Sequence, residues 1–157
     1  MHDPSRRAFV AAAFPAFAIF SCGALWAAEG ASLIPARRIA LRGYDPVSYF
    51  TEGRPQKGTN EFLFAFDDAI HLFTTDEHRA IFSADPERYA PQFAGFCTRS
   101  LSRGEKVEAD PEAWTITNGK LYVFSGKPGV PIFQDQPVAI ARKASENWPG
   151  LRGTQTQ

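Results

Sequence analysis

Between residues 61 and 75 aromatic positions recur at every second residue before a polar break. Phe62, Phe64 and Phe66 alternate with Leu63 and Ala65, Asp67-Asp68-Ala69 interrupts the run, and Ile70 to Thr75 resumes it. A period of two predicts a strand, a turn and a second strand, which together make a hairpin. The pattern recurs further on. Trp114 to Thr117 and Lys120 to Phe124 flank Asn118-Gly119, a pair suited to the positive dihedrals of a type I′ turn. That turn sets Thr117 opposite Lys120, Ile116 opposite Leu121 and Trp114 opposite Val123, so Trp114, Ile116, Leu121 and Val123 share one side of the ribbon, predicted as core.

Helix signals fill the intervals. Thr75 or Asp76 can cap a short helix through Phe82, and Asp85-Pro86 and Asp110-Pro111 each place a capping carboxylate before a proline suited to the first helical position. Asp45-Pro46 reads the same way, opening a short helix that buries Tyr49 and Phe50; Asp45 could also offer a carboxylate to a ligand cleft. A last helix is predicted from near Pro137 to Pro149, with Ile140, Ala144 and Trp148 on one face. No internal repeat at a solenoid period and no low-complexity segment is evident. The fold class expected is α+β: two antiparallel β-hairpins packed with several short helices and a C-terminal helix.

The first thirty residues read as an export signal. Ser5-Arg6-Arg7-Ala8-Phe9-Val10 sets paired arginines before an apolar run ending near Ala28, with small residues at Ala24, Ala27 and Ala28 suited to cleavage. This is the pattern of a bacterial twin-arginine signal, which sends the chain to the periplasm. An uncleaved membrane anchor and a lipoprotein anchor at Cys22 are the competing readings. Residues 31–150 then form one domain and residues 151–157 a disordered tail. Nothing after Ser32 is apolar for long enough to span a bilayer.

Charge removes one class of partner. Seventeen basic residues balance seventeen acidic ones, which leaves no electrostatic footprint for nucleic acid. The cysteines remove another possibility, because Cys22 leaves with a cleaved signal and Cys97 is then the single thiol of the mature chain, unable to form an internal disulfide. In a short run bounded by Gly95 and Gly104, Cys97 and Leu101 share a face if the run is helical, which favours a buried thiol.

Gly43-Tyr44-Asp45-Pro46-Val47-Ser48-Tyr49-Phe50, Phe73-Thr74-Thr75, Phe82-Ser83-Ala84-Asp85-Pro86-Glu87-Arg88-Tyr89-Ala90-Pro91-Gln92, Gly95-Phe96-Cys97, Asp110-Pro111-Glu112-Ala113-Trp114, Gly119 to Phe124 and Asn147-Trp148-Pro149 together resemble the secreted branch of the YHS-domain proteins, over nearly the whole mature chain. The resemblance implies soft-metal binding, copper being the usual suggestion. The cysteines of metal-associated relatives fall here on Ser48, Thr74 and His78, so His78 is the ligand type that survives; Cys97 and His71 could join it in a rebuilt site. One thiolate and two imidazoles suit copper or zinc. The function expected is a periplasmic, non-enzymatic soft-metal binding or delivery protein with metal ligands His78, Cys97 and His71 and an unknown periplasmic protein partner. Membrane attachment enters only through an uncleaved signal.

Each candidate has a structural reading beside this one. His78 aligns with Ile81 and Phe82 at helical spacing and suits a hydrogen-bonded core histidine, His71 suits an exposed strand position, and Cys97 suits burial. A module that has lost its metal site and serves structure or a partner is thus the alternative. Cys97 as a nucleophile assisted by His78 or His71 is an enzymatic reading, but no third orienting group or resolving cysteine accompanies it, and no residue is assigned as catalytic.

Overall fold

The computed structural model describes residues 37–156; the segment read above as an export signal, Cys22 and Gln157 lie outside them. Both predicted hairpins are present. In the first, β2 (Thr59–Phe66) and β3 (Ala69–Phe73) are joined through Asp67 and Asp68, both at positive φ. A short strand that the periodicity did not reveal, β1 (Arg38–Ile39), lies parallel to β3 and completes a sheet of order β1-β3-β2. In the second, β4 (Asp110–Thr117) and β5 (Lys120–Phe124) keep the expected register: Trp114 opposite Val123, Ile116 opposite Leu121 and Thr117 opposite Lys120. Asn118 and Gly119 take φ of 52° and 73°, the left-handed pair that a two-residue hairpin needs.

Asp110-Pro111 starts no helix. It opens β4, and the Asp110 carboxylate accepts a local hydrogen bond from Glu112 N at 3.0 Å. The ladder is irregular between Asp110 and Trp114, so Pro111 sits where its missing N–H leaves no ladder bond unmade. Nor is the ribbon buried on one side alone. Leu121 and Val123, with Trp114 and Ile116 beside them, pack on Leu41 and Tyr49, while Ala113, Tyr122 and Phe124 on the opposite face pack on Phe133.

Six helices surround the sheets: α1 (Ser48–Thr51), α2 (Asp76–Ala84), α3 (Pro86–Tyr89), α4 (Thr98–Ser102), α5 (Gly129–Asp135) and α6 (Pro137–Leu151). Thr75 caps α2 by accepting from His78 N, and Asp85 caps α3 by accepting from Arg88 N. The final helix starts at Pro137 as expected but passes Pro149 and ends at Leu151. Its Ala144 and Trp148 lie against Phe96 and Leu101 of the α4 region. Just beyond α6, Lys106 Nζ donates to the carbonyls of Arg152 at 2.8 Å and Thr154 at 2.7 Å. No helix among the described residues is long and apolar enough to cross a membrane.

The elements recur in order. β2 and β3 return 51 positions later as β4 and β5, with the same lengths, the same two-residue turn and the same irregularity four residues into the first strand. Phe73 stacks on Phe82 at 5.1 Å and 55°, and Phe124 on Phe133 at 5.3 Å and 52°. His71 lies on Phe82 at 4.8 Å, Tyr122 on Phe133 at 4.7 Å. Ahead of each hairpin runs the same lead-in. Left-handed turns Ala40–Gly43 and Gln92–Gly95 end in glycines at φ 82° and 80°, and Tyr44 and Phe96 form antiparallel bridges to Lys57 and Glu108. Even the parallel strand has its echo, since Ile39 pairs with Ile70 and Pro91 with Leu121. The domain is one unit built twice, and α6, which opens at Pro137, is a longer counterpart of α3, which opens at Pro86. No repeat was expected from the sequence, because few side chains coincide: Gly43 with Gly95, Ser48 with Ser100, Glu61 with Glu112, Phe73 with Phe124, Ile81 with Ile132, Phe82 with Phe133 and Pro86 with Pro137 are among the visible matches.

Candidate functional site

Asp45 is the most heavily bonded side chain of the first half. It is fully buried. Its Oδ1 accepts from Val47 N at 2.8 Å and Ser48 N at 3.4 Å, capping α1. Its Oδ2 accepts from Thr74 N at 2.9 Å, Thr74 Oγ1 at 2.8 Å and His78 Nδ1 at 2.7 Å. One carboxylate therefore fastens three segments: the start of α1, the end of β3 and the first turn of α2. A carboxylate taken fully out of water is tolerable only with this density of donors. Asp45 holds the turn ahead of the helix as its dipeptide predicted, although the helix begins at Ser48 rather than Pro46, and the same carboxylate orients an imidazole.

The geometry assigns a tautomer to His78. With Nδ1–H given to Asp45, the Nε2 lone pair points away from the clasp, on a side chain that is 13 % exposed. Thr51 Oγ1 lies 3.5 Å from Nε2, at the limit of hydrogen bonding, while its hydroxyl donates to Val47 O. A carboxylate-oriented imidazole with only the Thr51 hydroxyl near its Nε2 is close to the arrangement that metal ligands and general bases share.

The second half carries the same clasp in different chemistry. Cys97, 52 positions after Asp45, caps α4: its Sγ accepts from Ser100 N at 3.4 Å and donates to Ser125 Oγ at 3.6 Å. Ser100 stands where Ser48 does and Ser125 where Thr74 does. The backbone N–H groups agree too, Asp45 donating to Gln56 O and Cys97 to Val107 O, both at 2.9 Å. The place of His78 is taken by Gly129, where a Cβ would come within 2.9 Å of Phe124 Cβ, so no side chain reaches the thiol from there. A cavity of about 180 Å³ remains, bounded by Cys97, Arg99, Arg103 and Ser125. Burial pushes the Cys97 thiol up, but the hydrogen bonds that Ser100 and Ser125 can give the thiolate outweigh it and hold the group below its ordinary range.

His71 lies in neither clasp. It is buried on β3 against Phe82, not at an exposed strand position, and neither ring nitrogen has a hydrogen-bond partner. Burial lowers its pKa to about 4, the nearby Phe66 backbone pulling weakly the other way and the Arg38 charge adding to the fall. The three expected ligands thus occupy three settings: His78 against Asp45, Cys97 between two serines, His71 inside the aromatic cluster. Among the described residues no three of His, Cys, Asp and Glu come together as a metal-holding group. Thr74 and Ser125 escaped the sequence reading, which weighed Thr74 only as a poor ligand. The phasing of Phe73-Thr74 with Phe124-Ser125 was the available signal.

Comparison with known proteins returned no match to a family model, to a curated protein or to a solved structure.

Proposed function

We propose that the chain is a non-enzymatic binding module of the secreted YHS type, exported to the periplasm by the twin-arginine route, in which the ligand positions of metal-associated relatives have become the clasps of the fold and the activity is contact with a protein partner. The observation that carries this reading is the set of partners around Asp45. The Thr74 hydroxyl and the His78 Nδ1, at two former cysteine positions, are both spent on that carboxylate. The corresponding groups of the second half are spent on one another in the same way. Side chains committed to internal hydrogen bonds fix geometry at the cost of ligation.

Equilibrium dialysis of the reduced, purified protein against copper(I) and zinc at neutral pH tests the reading. The expected result is no stoichiometric uptake in the micromolar range. A second reading, soft-metal delivery, is favoured by the outward Nε2 of His78, which could give a cargo ion one imidazole while a partner completes the shell. Uptake lost on His78→Ala and kept on Cys97→Ser would replace the first reading with the second.

A further inference from the structure

The two halves meet head to tail, and that leaves one docking surface unused. In the second half the surface formed by Gly95, Ala109 and Val123 is covered by the lead-in of the first half. Leu41 and Tyr49 pack against Ala109 and Val123, and Leu41 Cδ2 comes within 3.3 Å of where a Cβ on Gly95 would lie. Tyr49 Oη donates to Pro111 O at 3.0 Å. Arg38, three residues before Leu41, reaches Glu108 at 3.1 Å. The incoming segment thus brings a cation, an aliphatic side chain and a tyrosine hydroxyl to a surface whose charged group is an acid.

Among the described residues the equivalent surface of the first half is open. Gly43, Gly58 and Leu72 stand where Gly95, Ala109 and Val123 do, and they line a groove of about 430 Å³ together with Ile39 and Lys57. Ile39 is 46 % exposed there. Gly58 keeps the floor low, since a Cβ would lie 2.6 Å from the Leu72 backbone. The charge has inverted: Lys57 replaces Glu108 and Arg42 replaces Ala94, and no carboxylate lines the groove. The second half cannot fill it with its own lead-in, because Phe96 and Leu101, at the places of Tyr44 and Tyr49, are covered by α6.

We propose that this groove binds a segment of a partner protein shaped like residues 38–51 of this chain but of opposite leading charge: a carboxylate for Lys57, then an aliphatic side chain against Gly43, Ile39 and Leu72, then a hydroxyl donor for the Asn60 carbonyl. The inference names the surface used by the interaction module proposed above and rests on that reading. Opposite charges placed across such a rim set partner choice more than raw affinity.

Two labelled peptides test it against the full-length protein by fluorescence anisotropy: residues 38–51 with Arg38→Glu, and the same peptide with Arg38 retained. The Glu peptide should bind at least tenfold more tightly, and Lys57→Glu in the protein should reverse the order. Lys57→Gln, which should only flatten the preference, serves if Lys57→Glu melts early. Amide shifts should move at Gly43, Gly58 and Leu72. No saturable binding, a preference that Lys57→Glu leaves unchanged, or shifts confined to Gly95 and Ala109 would each overturn the proposal. Those failures leave the metal-free reading standing, whereas metal uptake in dialysis removes that reading and leaves the groove measurement as it is.

Discussion

Replacing Asp45 by alanine strands five donors from three segments around a fully buried position. The expected cost is on the order of 3 to 5 kcal/mol in urea unfolding. Cys97→Ser, which keeps a capping oxygen between Ser100 and Ser125, should cost about 1 kcal/mol. If the two substitutions cost the same, the clasp does not hold the first half together as described. His71 makes a prediction about acid. Its folded pKa, about 4, lies below the ordinary value of 6.5, so between those values the unfolded chain holds the extra proton. Stability from this group is complete above pH 6.5, falls as pH drops toward 4 and levels off below, by roughly 3 kcal/mol in all. Unfolding measured at pH 7.5, 5.5 and 4.5 should show that slope in the native protein and lose much of it in His71→Phe. An equal slope in both would assign the acid sensitivity elsewhere.

At the scale of elements, the second hairpin can be checked at its turn. Gly119 has open space around its missing Cβ but a φ of 73°, so Gly119→Val is strained by backbone alone and should lower stability by about 1 to 3 kcal/mol with an unchanged register. A melting temperature equal to the parent's would contradict the left-handed turn. This hairpin was the part of the fold most legible in the sequence, because Asn118-Gly119 fixes register by local chemistry. The caps at Thr75 and Asp85 were legible for the same reason. Asp110-Pro111 misled because a capping pair and a strand opening share one dipeptide, and the bulge that decides between them depends on pairing with Phe124 far along the chain. β1 has two residues and exists only because β3 receives it. The clasp was half legible: Asp45 stood out as a cap, but its reach to Thr74 and His78 spans the sheet and has no local signature.

For the molecule as a whole, the first question is where it works. If the arginine pair belongs to a twin-arginine signal, as proposed, Arg6→Lys with Arg7→Lys retains precursor in the cytoplasm, because charge is kept while the paired guanidinium geometry is lost. Unchanged periplasmic yield on fractionation would exclude the twin-arginine route. Periodicity and cap signals made the α+β class legible, and composition its small size and balanced charge. Neither could show that the domain is one unit built twice, since backbone turns, register and caps recur while most side chains differ.

A chain that contains one fold twice carries a hazard during its own assembly, in which a strand from one copy settles into the matching slot of the other. Position 39 and its counterpart bear on this. Ile39 has an N–H to give and belongs to a two-residue parallel strand on β3; its counterpart is Pro91, which has none and makes a single isolated bridge to Leu121. Proline cannot contribute a donor to a ladder. The lead-in of the second copy is therefore a poor competitor for the edge of β3, and the sheet of the first copy closes on its own strand.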